Sequence, residues 1–463
     1  MTADSDNDTT IPSGNPDFSA RTVLSRSQQR ILLLLALVFA LALVLDAHRT
    51  LMITNVTIII FYLMFCGYKL TLQFISLYRT PAPFDRQAVP PGGWPSYTIL
   101  APLYHEKTAV PGLVAHFKVL DYPVDRLQIL LLVEDDDEET KQAVADLDIA
   151  APFEVVPIPV NQPRTKPKAC NQGLSRARGD YLVIYDAEDR PETDQLRKAA
   201  LRFAAAPPEV VCLQAQLNYY NRDHNWLTRF FTAEYSCWYD YCLPGLVHLD
   251  APIPLGGTSN HFPTSRLREL GGWDPFNVTE DCDLGIRIYR FGLTTEMLDS
   301  TTWEEAVSRV PSWIRQRSRW VKGYLQTYLV HLRGHRSLLR TRGPGKLLHF
   351  HLLFGATGFC LLLNPFYWLL TLAGVFMGPD FLRGFFPFWV LVLALTSFLA
   401  GNFAFILSTM LACLRRGNYH LVPHCLLMPL YWVLMSIGAW KGAIQLITRP
   451  FYWEKTPHAG GTK

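Results

Sequence analysis

Two kinds of hydrophobic pattern divide this chain. An apolar run, ILLLLALVFALALVL at 31–45, is followed beyond Asp46 by a second apolar stretch from Leu51 to Tyr78. A bilayer core asks for about 20 apolar residues per helix, so the two runs predict a transmembrane helical hairpin over 29–78. Arg21, Arg26 and Arg30 precede it, and Lys69 and Arg79 mark its far end, which by the positive-inside bias puts both ends on the cytoplasmic side. The first run is read as a membrane helix and not a cleaved leader, because no small-residue cleavage site follows it. Residues 1–28 are polar and rich in Ser, Thr, Asp and Pro, a composition that predicts a disordered cytoplasmic tail.

From Tyr97 the apolar runs shorten. YTILAPL, LQILLLV, FEVVPIPV, DYLVIYD and VVCLQAQL alternate with helical segments, the pattern of a parallel sheet covered by helices. This predicts an α/β domain over 97–335, set off from the membrane by Pro81, Pro83, Pro90, Pro91, Gly92, Gly93 and Pro95. Long apolar stretches return at 347–377, 385–413 and 419–447. Residues 347–448 are therefore expected to form C-terminal transmembrane and interfacial helices. Pro423 and Pro429 should break the last stretch into re-entrant or interfacial helices, leaving four full spans; a further crossing at an Asn364-Pro365 kink is the alternative.

Composition narrows the classes. The 463 residues are 49% hydrophobic and carry a net charge of only +3, so nothing calls for a nucleic-acid partner. The nine cysteines show neither CxxC redox spacing nor a paired zinc arrangement, and read as reduced thiols.

Candidate chemistry lies where apolar runs end, because ligands of open α/β sheets bind beyond the carboxyl ends of strands. One run ends in Glu134, Asp135, Asp136 and Asp137, another in Asp186, Glu188 and Asp189. Helix caps and solvated turns are the ordinary use of such acids. Asp186 and Glu188 are two apart and in extended chain would face one side, able to share a hard cation such as Mg2+ or Mn2+. Lys166, Lys168 and Asn171 precede that strand, where a cation could balance a diphosphate. FNVTEDCDLGIRIYRFG predicts a helix with Thr279 as N-cap and Glu280 and Asp281 in its first turn, where the macrodipole favours an ionised general base at Asp281. In VPSWIRQRSRWVKGY, Gln316, Arg319 and Trp320 share one helical face, suited to gripping a diphosphate and a sugar ring; a basic helix lying on anionic lipid fits the same residues.

In order and approximate spacing, PLYHE, the EDDD run, KPKACN, DAED, TED and QRSRW resemble the motifs of processive family 2 glycosyltransferases such as cellulose, curdlan, chitin and hyaluronan synthases. The resemblance spans residues 97–335 and the flanking apolar stretches. It implies a GT-A-type cytosolic domain inserted between transmembrane helices of the cell inner membrane. Nucleotide binding would fall to Tyr104, Glu106, Glu134, Asp136 and Lys168, metal binding to Asp186 and Glu188, and base catalysis to Asp281. Gln316, Arg319 and Trp320 would hold diphosphate and acceptor, and a gating loop over 449–463 would use Trp453, Thr456 and His458. The implied partners are a UDP-sugar, UDP-glucose or UDP-N-acetylglucosamine, a growing β-linked glycan, the lipid bilayer, and export or periplasmic proteins. Two departures stand out: the second metal position is Glu where Asp is usual, and EDDD replaces Asp-Asp-Gly. Single transfer to a lipid acceptor and an inactive membrane scaffold are the rival readings.

Overall fold

The computed structural model describes residues 16–77, 85, 87–160, 163–383 and 386–454. At the centre of the globular part is an eight-stranded sheet: β1 (Tyr97–Leu103), β2 (Leu127–Glu134), β3 (Phe153–Ile158), β4 (Tyr181–Ile184), β5 (Arg190–Pro191), β6 (Val210–Tyr219), β7 (Asn260–Pro263) and β8 (Thr294–Glu304). Their spatial order is β3-β2-β1-β4-β7-β6-β8-β5. β1 pairs in parallel with β2 and β4, and β2 with β3, in the register Ile99↔Ile129 and Ile99↔Val183. β1, β2 and β4 are buried on both faces, which is why they read as unbroken apolar runs, while β3 at the sheet edge leaves Val155 and Pro157 exposed.

The sheet is mixed where the sequence pattern predicts a parallel one. β7 runs antiparallel to β4 and β6, and β5 antiparallel to β8. Neither β7 (NHFP) nor β8 (TTEMLDSTTWE) carries an apolar run, because polar side chains here hydrogen-bond one another inside the fold. Gln195 shows the pattern, donating to Ser300 and Thr302 Oγ1 at 3.1 Å. All nine cysteines are free thiols.

Among the described residues five helices are long and apolar enough to cross a membrane: Arg26–Leu45, Ala47–Leu77, Pro344–Met377, Phe388–Arg415 and Tyr419–Thr448. The first buries none of its residues. Gln28 near its start donates to the Leu329 carbonyl at 2.7 Å, and Ser76 at the end of the second donates to the Tyr241 carbonyl at 2.7 Å. Both outer ends of the pair thus meet the globular domain, the arrangement of a hairpin. Pro365 lies inside an uninterrupted helix, Ala356–Met377, and the irregular turn falls earlier, at His351–Gly355. The last stretch starts as a 3-10 segment over Tyr419–Leu427 and becomes regular at Met428, with Pro429 in the first turn where a missing N–H costs nothing.

The chain is docked from Pro16 onward, short of the extent read as a tail over 1–28. Ala20 is fully buried, and its N–H donates to Asp274 at 2.6 Å. Arg333 donates to the carbonyls of Ser19 and Val23, and the Arg290 guanidinium lies 4.4 Å from the Phe18 ring centre.

Candidate active site

One cavity of about 1340 Å³ joins the carboxyl ends of β1, β2, β4 and β8 to the space between the membrane-type helices. Its polar end is built from four short segments. The helix Lys166–Arg176 opens with Lys166, whose ammonium pairs with Asp186 and donates to the Gly257 carbonyl at 2.7 Å. Burial disfavours its charge, but the Asp186 and Glu280 carboxylates outweigh burial and hold the lysine firmly protonated. Lys168, two residues on, lies on a different face: its ammonium donates to the Pro159 carbonyl at 2.6 Å and its charge faces Glu134. Helical phase therefore brings Lys166 to the cavity and keeps Lys168 beside it.

Asp186 and Glu188 both line the cavity, though not from extended chain. β4 ends at Ile184, and a turn follows in which Asp189 N–H donates to the Asp186 carbonyl at 3.1 Å. Asp189 staples this turn, accepting from Asp186 N–H at 2.6 Å and from the Thr258 hydroxyl. Burial, together with Asp186 and Glu188, pushes the Asp189 carboxyl well above the usual range. Glu304, at the end of β8, is raised likewise by burial and then by Asp189, Glu188 and Asp186. The signal for Glu304 was an acid at a strand end, hidden because β8 lacks an apolar run. Asp186, Glu188, Asp189 and Glu304 face one another with Lys166 beside them, so the group carries an excess of negative potential that protons or a divalent cation can relieve. Among the described residues no group of three or more His, Cys, Asp or Glu is arranged to hold a metal by itself. Such a pair of carboxylates fits a hard cation that completes its shell with waters and substrate phosphates.

The helix Glu280–Arg290 starts where the sequence places it, with Thr279 at the N-cap position, but the threonine side chain makes no capping bond. Asp281 accepts from Cys282 N–H at 2.7 Å and lines the cavity. Burial raises its carboxyl to about 6, against the lowering effects of the Cys282 N–H, Lys166 and Arg319; the helix start alone does not set its charge. Glu280 is lifted further, to about 8, by burial and by Asp281. Asp283 serves the fold, pairing with Arg287 and with His331 at 2.9 Å.

Gln316, Arg319 and Trp320 line the cavity together, one face of the helix Val310–Leu332. Arg317 also borders the cavity, its guanidinium 4.6 Å from the Trp320 ring centre and bonded to Glu234 at 2.9 Å and the Tyr431 hydroxyl at 3.0 Å. This helix approaches the Thr279 turn so closely that a Cβ at Gly323 would sit 2.3 Å from Thr279 Oγ1. The Arg319 guanidinium lies 4.5 Å from the Trp453 ring centre, and Lys322 donates to the Tyr452 carbonyl at 2.7 Å. Of the expected loop residues, Trp453 is thus in the cavity wall, while Thr456 and His458 lie outside the described residues.

At the opposite rim Tyr104, Glu106 and Glu134 line the cavity, and Arg164 packs over Tyr104 at 4.4 Å. Asp136 is not in the lining: it pairs with Arg164 from behind. Asp137 is a helix cap, accepting from Thr140 N–H at 3.2 Å. Glu134 is the acid of the run that faces the cavity, its carboxyl raised by burial.

The chain belongs to the family described as glycosyl transferase family group 2, which it matches over residues 181–447. The family is one of glycosyl transferases, and the α/β domain has a GT-A-type fold. Among curated relatives, the probable glycosyltransferase YdaM of Bacillus subtilis is 27% identical over 259 residues, 55% of this chain and 61% of that protein. Cellulose synthase 1 of Komagataeibacter xylinus is 25% identical over 275 residues, 57% of this chain and 17% of that one. The chain thus spans less than two thirds of either relative. Among solved structures, a mannosyltransferase, PcManGT from Pyrobaculum calidifontis, in complex with GDP-Man and Mn2+, shares the fold with a TM-score of 0.52 and 18% identity, covering 85% of this chain and 98% of its own.

Proposed function

We propose that this enzyme is an inverting polymerase that extends a β-linked glycan from a UDP-sugar, UDP-glucose or UDP-N-acetylglucosamine, and passes the product into the membrane. The observation that carries this reading is the continuous cavity running from Asp281 and Asp186 past Trp320 to the membrane-type helices. Polar pairs line its far half: Tyr62 donates to Asn364 at 2.6 Å and Tyr367 to Asn55 at 2.8 Å, groups able to hydrogen-bond sugar hydroxyls.

Asp281 accepts the proton of the acceptor hydroxyl that attacks the anomeric carbon. Trp320 offers the acceptor ring a flat apolar face, and Arg319 meets the departing diphosphate with its guanidinium. Tyr104, Glu106 and Glu134 bound the space for the base and ribose. Asp186 and Glu188 would hold Mg2+ or Mn2+, which supplies charge stabilisation to the leaving diphosphate. The domain is placed on the cytoplasmic face of the inner membrane, where nucleotide sugars are made, with export or periplasmic proteins receiving the glycan. Tyr431 near one end of the helix Met428–Thr448 bonds Glu234 at 2.6 Å, and Arg449 and Tyr452 beyond its other end meet Lys322. That supports an interfacial last helix, four full spans, and a C-terminal loop that closes over the donor.

A second reading, one transfer to a lipid acceptor, is favoured by a different feature of the same cavity: Leu370, Val375, Leu391, Leu395 and Phe398 give its membrane end an apolar wall. The test is the purified enzyme in nanodiscs, incubated with a panel of UDP-sugars and GDP-mannose and with Mg2+ or Mn2+. A water-soluble polymer with UDP release is the expected product. A single-sugar lipid would decide for the second reading, and release of GDP alone would reject the donor.

A further inference from the structure

The Ala47–Leu77 helix carries a lysine, Lys69, that is only 8% exposed and lines the cavity. Its ammonium lies 4.6 Å from the Trp238 ring centre and 5.6 Å from that of Phe65. Among the described residues no carboxylate stands within ion-pair distance of it and no oxygen accepts a hydrogen bond from it. The titratable groups that face it are the thiols Cys237, Cys242 and Cys360. Gln73, one turn along, is committed elsewhere: its amide N–H points to Cys237 Sγ at 3.5 Å and its carbonyl accepts from Ser408. A buried cation supported by ring faces alone is incompletely compensated, and an anion entering the cavity would complete its shell.

The position says which kind of anion. Lys69 is reached from the reaction centre along an aromatic wall: Trp320 and Tyr235 have ring centres 6.3 Å apart, Tyr235 and Tyr239 5.4 Å, and Trp238 adjoins Tyr239 in the chain. Beyond it the lining turns largely apolar. A molecule spanning this path would place a sugar hydroxyl near Asp281, its ring on the aromatic wall, a negative charge at Lys69 and a hydrocarbon chain between the helices.

We propose that Lys69 anchors an anion subsite in the acceptor half of the cavity, and that its ligand is the phosphate of a phosphate-bearing lipid that carries or primes the acceptor. The assignment rests on the reading of Asp281 as the base and of the membrane half as the acceptor path. Either a lipid-linked primer for a polymer or the acceptor of a single transfer satisfies it.

The experiment measures lipid retention by native mass spectrometry on the full-length protein, with dodecyl phosphate and dodecyl glucoside as probes of equal chain length. The wild type is expected to retain the phosphate at least tenfold more tightly than the glucoside. Lys69→Met, which keeps an apolar stem and removes the charge, should erase that preference, and Lys69→Arg should keep most of it. UDP affinity, measured separately, should be the same in all three, which shows that the fold survives. Equal preference in the wild type and Lys69→Met overturns the subsite. Competition by inorganic phosphate as potent as that by dodecyl phosphate overturns the lipid as its source. Turnover retained by Asp281→Asn would instead overturn the catalytic reading, and the lipid preference would be scored independently of it.

Discussion

Two acidic strand ends, after β2 and after β4, look alike in sequence and are used differently. After β2 the acids are largely spent on the fold: Asp137 caps a helix, Asp136 holds Arg164, and Glu134 alone of these three faces the cavity. After β4 the assignment is inverted. Asp189 is spent on stapling the turn, and that leaves Asp186 and Glu188 facing the cavity opposite Glu304. What separates the two uses is where the carboxylate faces: Glu134, Asp186 and Glu188 line the cavity, Asp186 even with Lys166 paired to it, whereas Asp136, Asp137 and Asp189 are turned away from it.

Substitutions can break this contrast, and a residue outside both regions sets the ceiling. Asp281→Asn should cut turnover by about 10²–10⁴-fold with UDP affinity unchanged, since an amide cannot take the acceptor proton. Because burial lifts the Asp281 carboxyl to about 6, wild-type activity should fall as pH drops through that value, where the base becomes protonated; a rate flat from pH 5 to 7 would remove it from the role. Next in size, Asp186→Ala should abolish metal-dependent UDP binding by calorimetry, and binding at wild-type strength without added metal would erase the contrast between the two strand ends. Glu188→Asp should keep binding while shifting the ratio of Mg2+- to Mn2+-supported rates. Glu134→Gln is expected to weaken UDP binding about tenfold, by loss of one charge-assisted contact worth about 1.5 kcal/mol. Smallest is Asp137→Ala, which should cost about 1 kcal/mol of stability as a lower melting temperature and leave KM alone.

The sequence carried the parallel half of the sheet plainly, because strands buried on both faces must be apolar throughout. It also carried the shared face of Gln316, Arg319 and Trp320, which depends only on the helical repeat. β7 and β8 escaped because their inward side chains are polar and satisfied by partners far along the chain, such as Gln195 with Thr302, 107 residues apart. Glu304 went with them. The choice between Lys166 and Lys168 turned on where the helix begins, since a start at Lys166 aims one lysine at Asp186 and the other past Glu134. Asp186 and Glu188 converge through a turn whose geometry is set by Asp189 and Thr258, 69 positions apart, and no local pattern announces that.

The docked segment around Ala20 has a consequence for how such enzymes drift over evolutionary time. Asp274 grips the Ala20 N–H, and Arg333 grips the carbonyls of Ser19 and Val23. These are main-chain groups, identical in almost every amino acid, so mutation can rewrite much of the segment without loosening the grip. Fully buried Ala20, Phe18 against Arg290 and Phe291, and Ser19, whose hydroxyl donates to Asp274 at 3.2 Å, are the exceptions. Aligned orthologues would then show a variable stretch around a short constrained centre, easily trimmed from an expression plasmid as dispensable. Trimming it would uncover Asp274 and free the far ends of the two helices that carry Asp281 and Arg319.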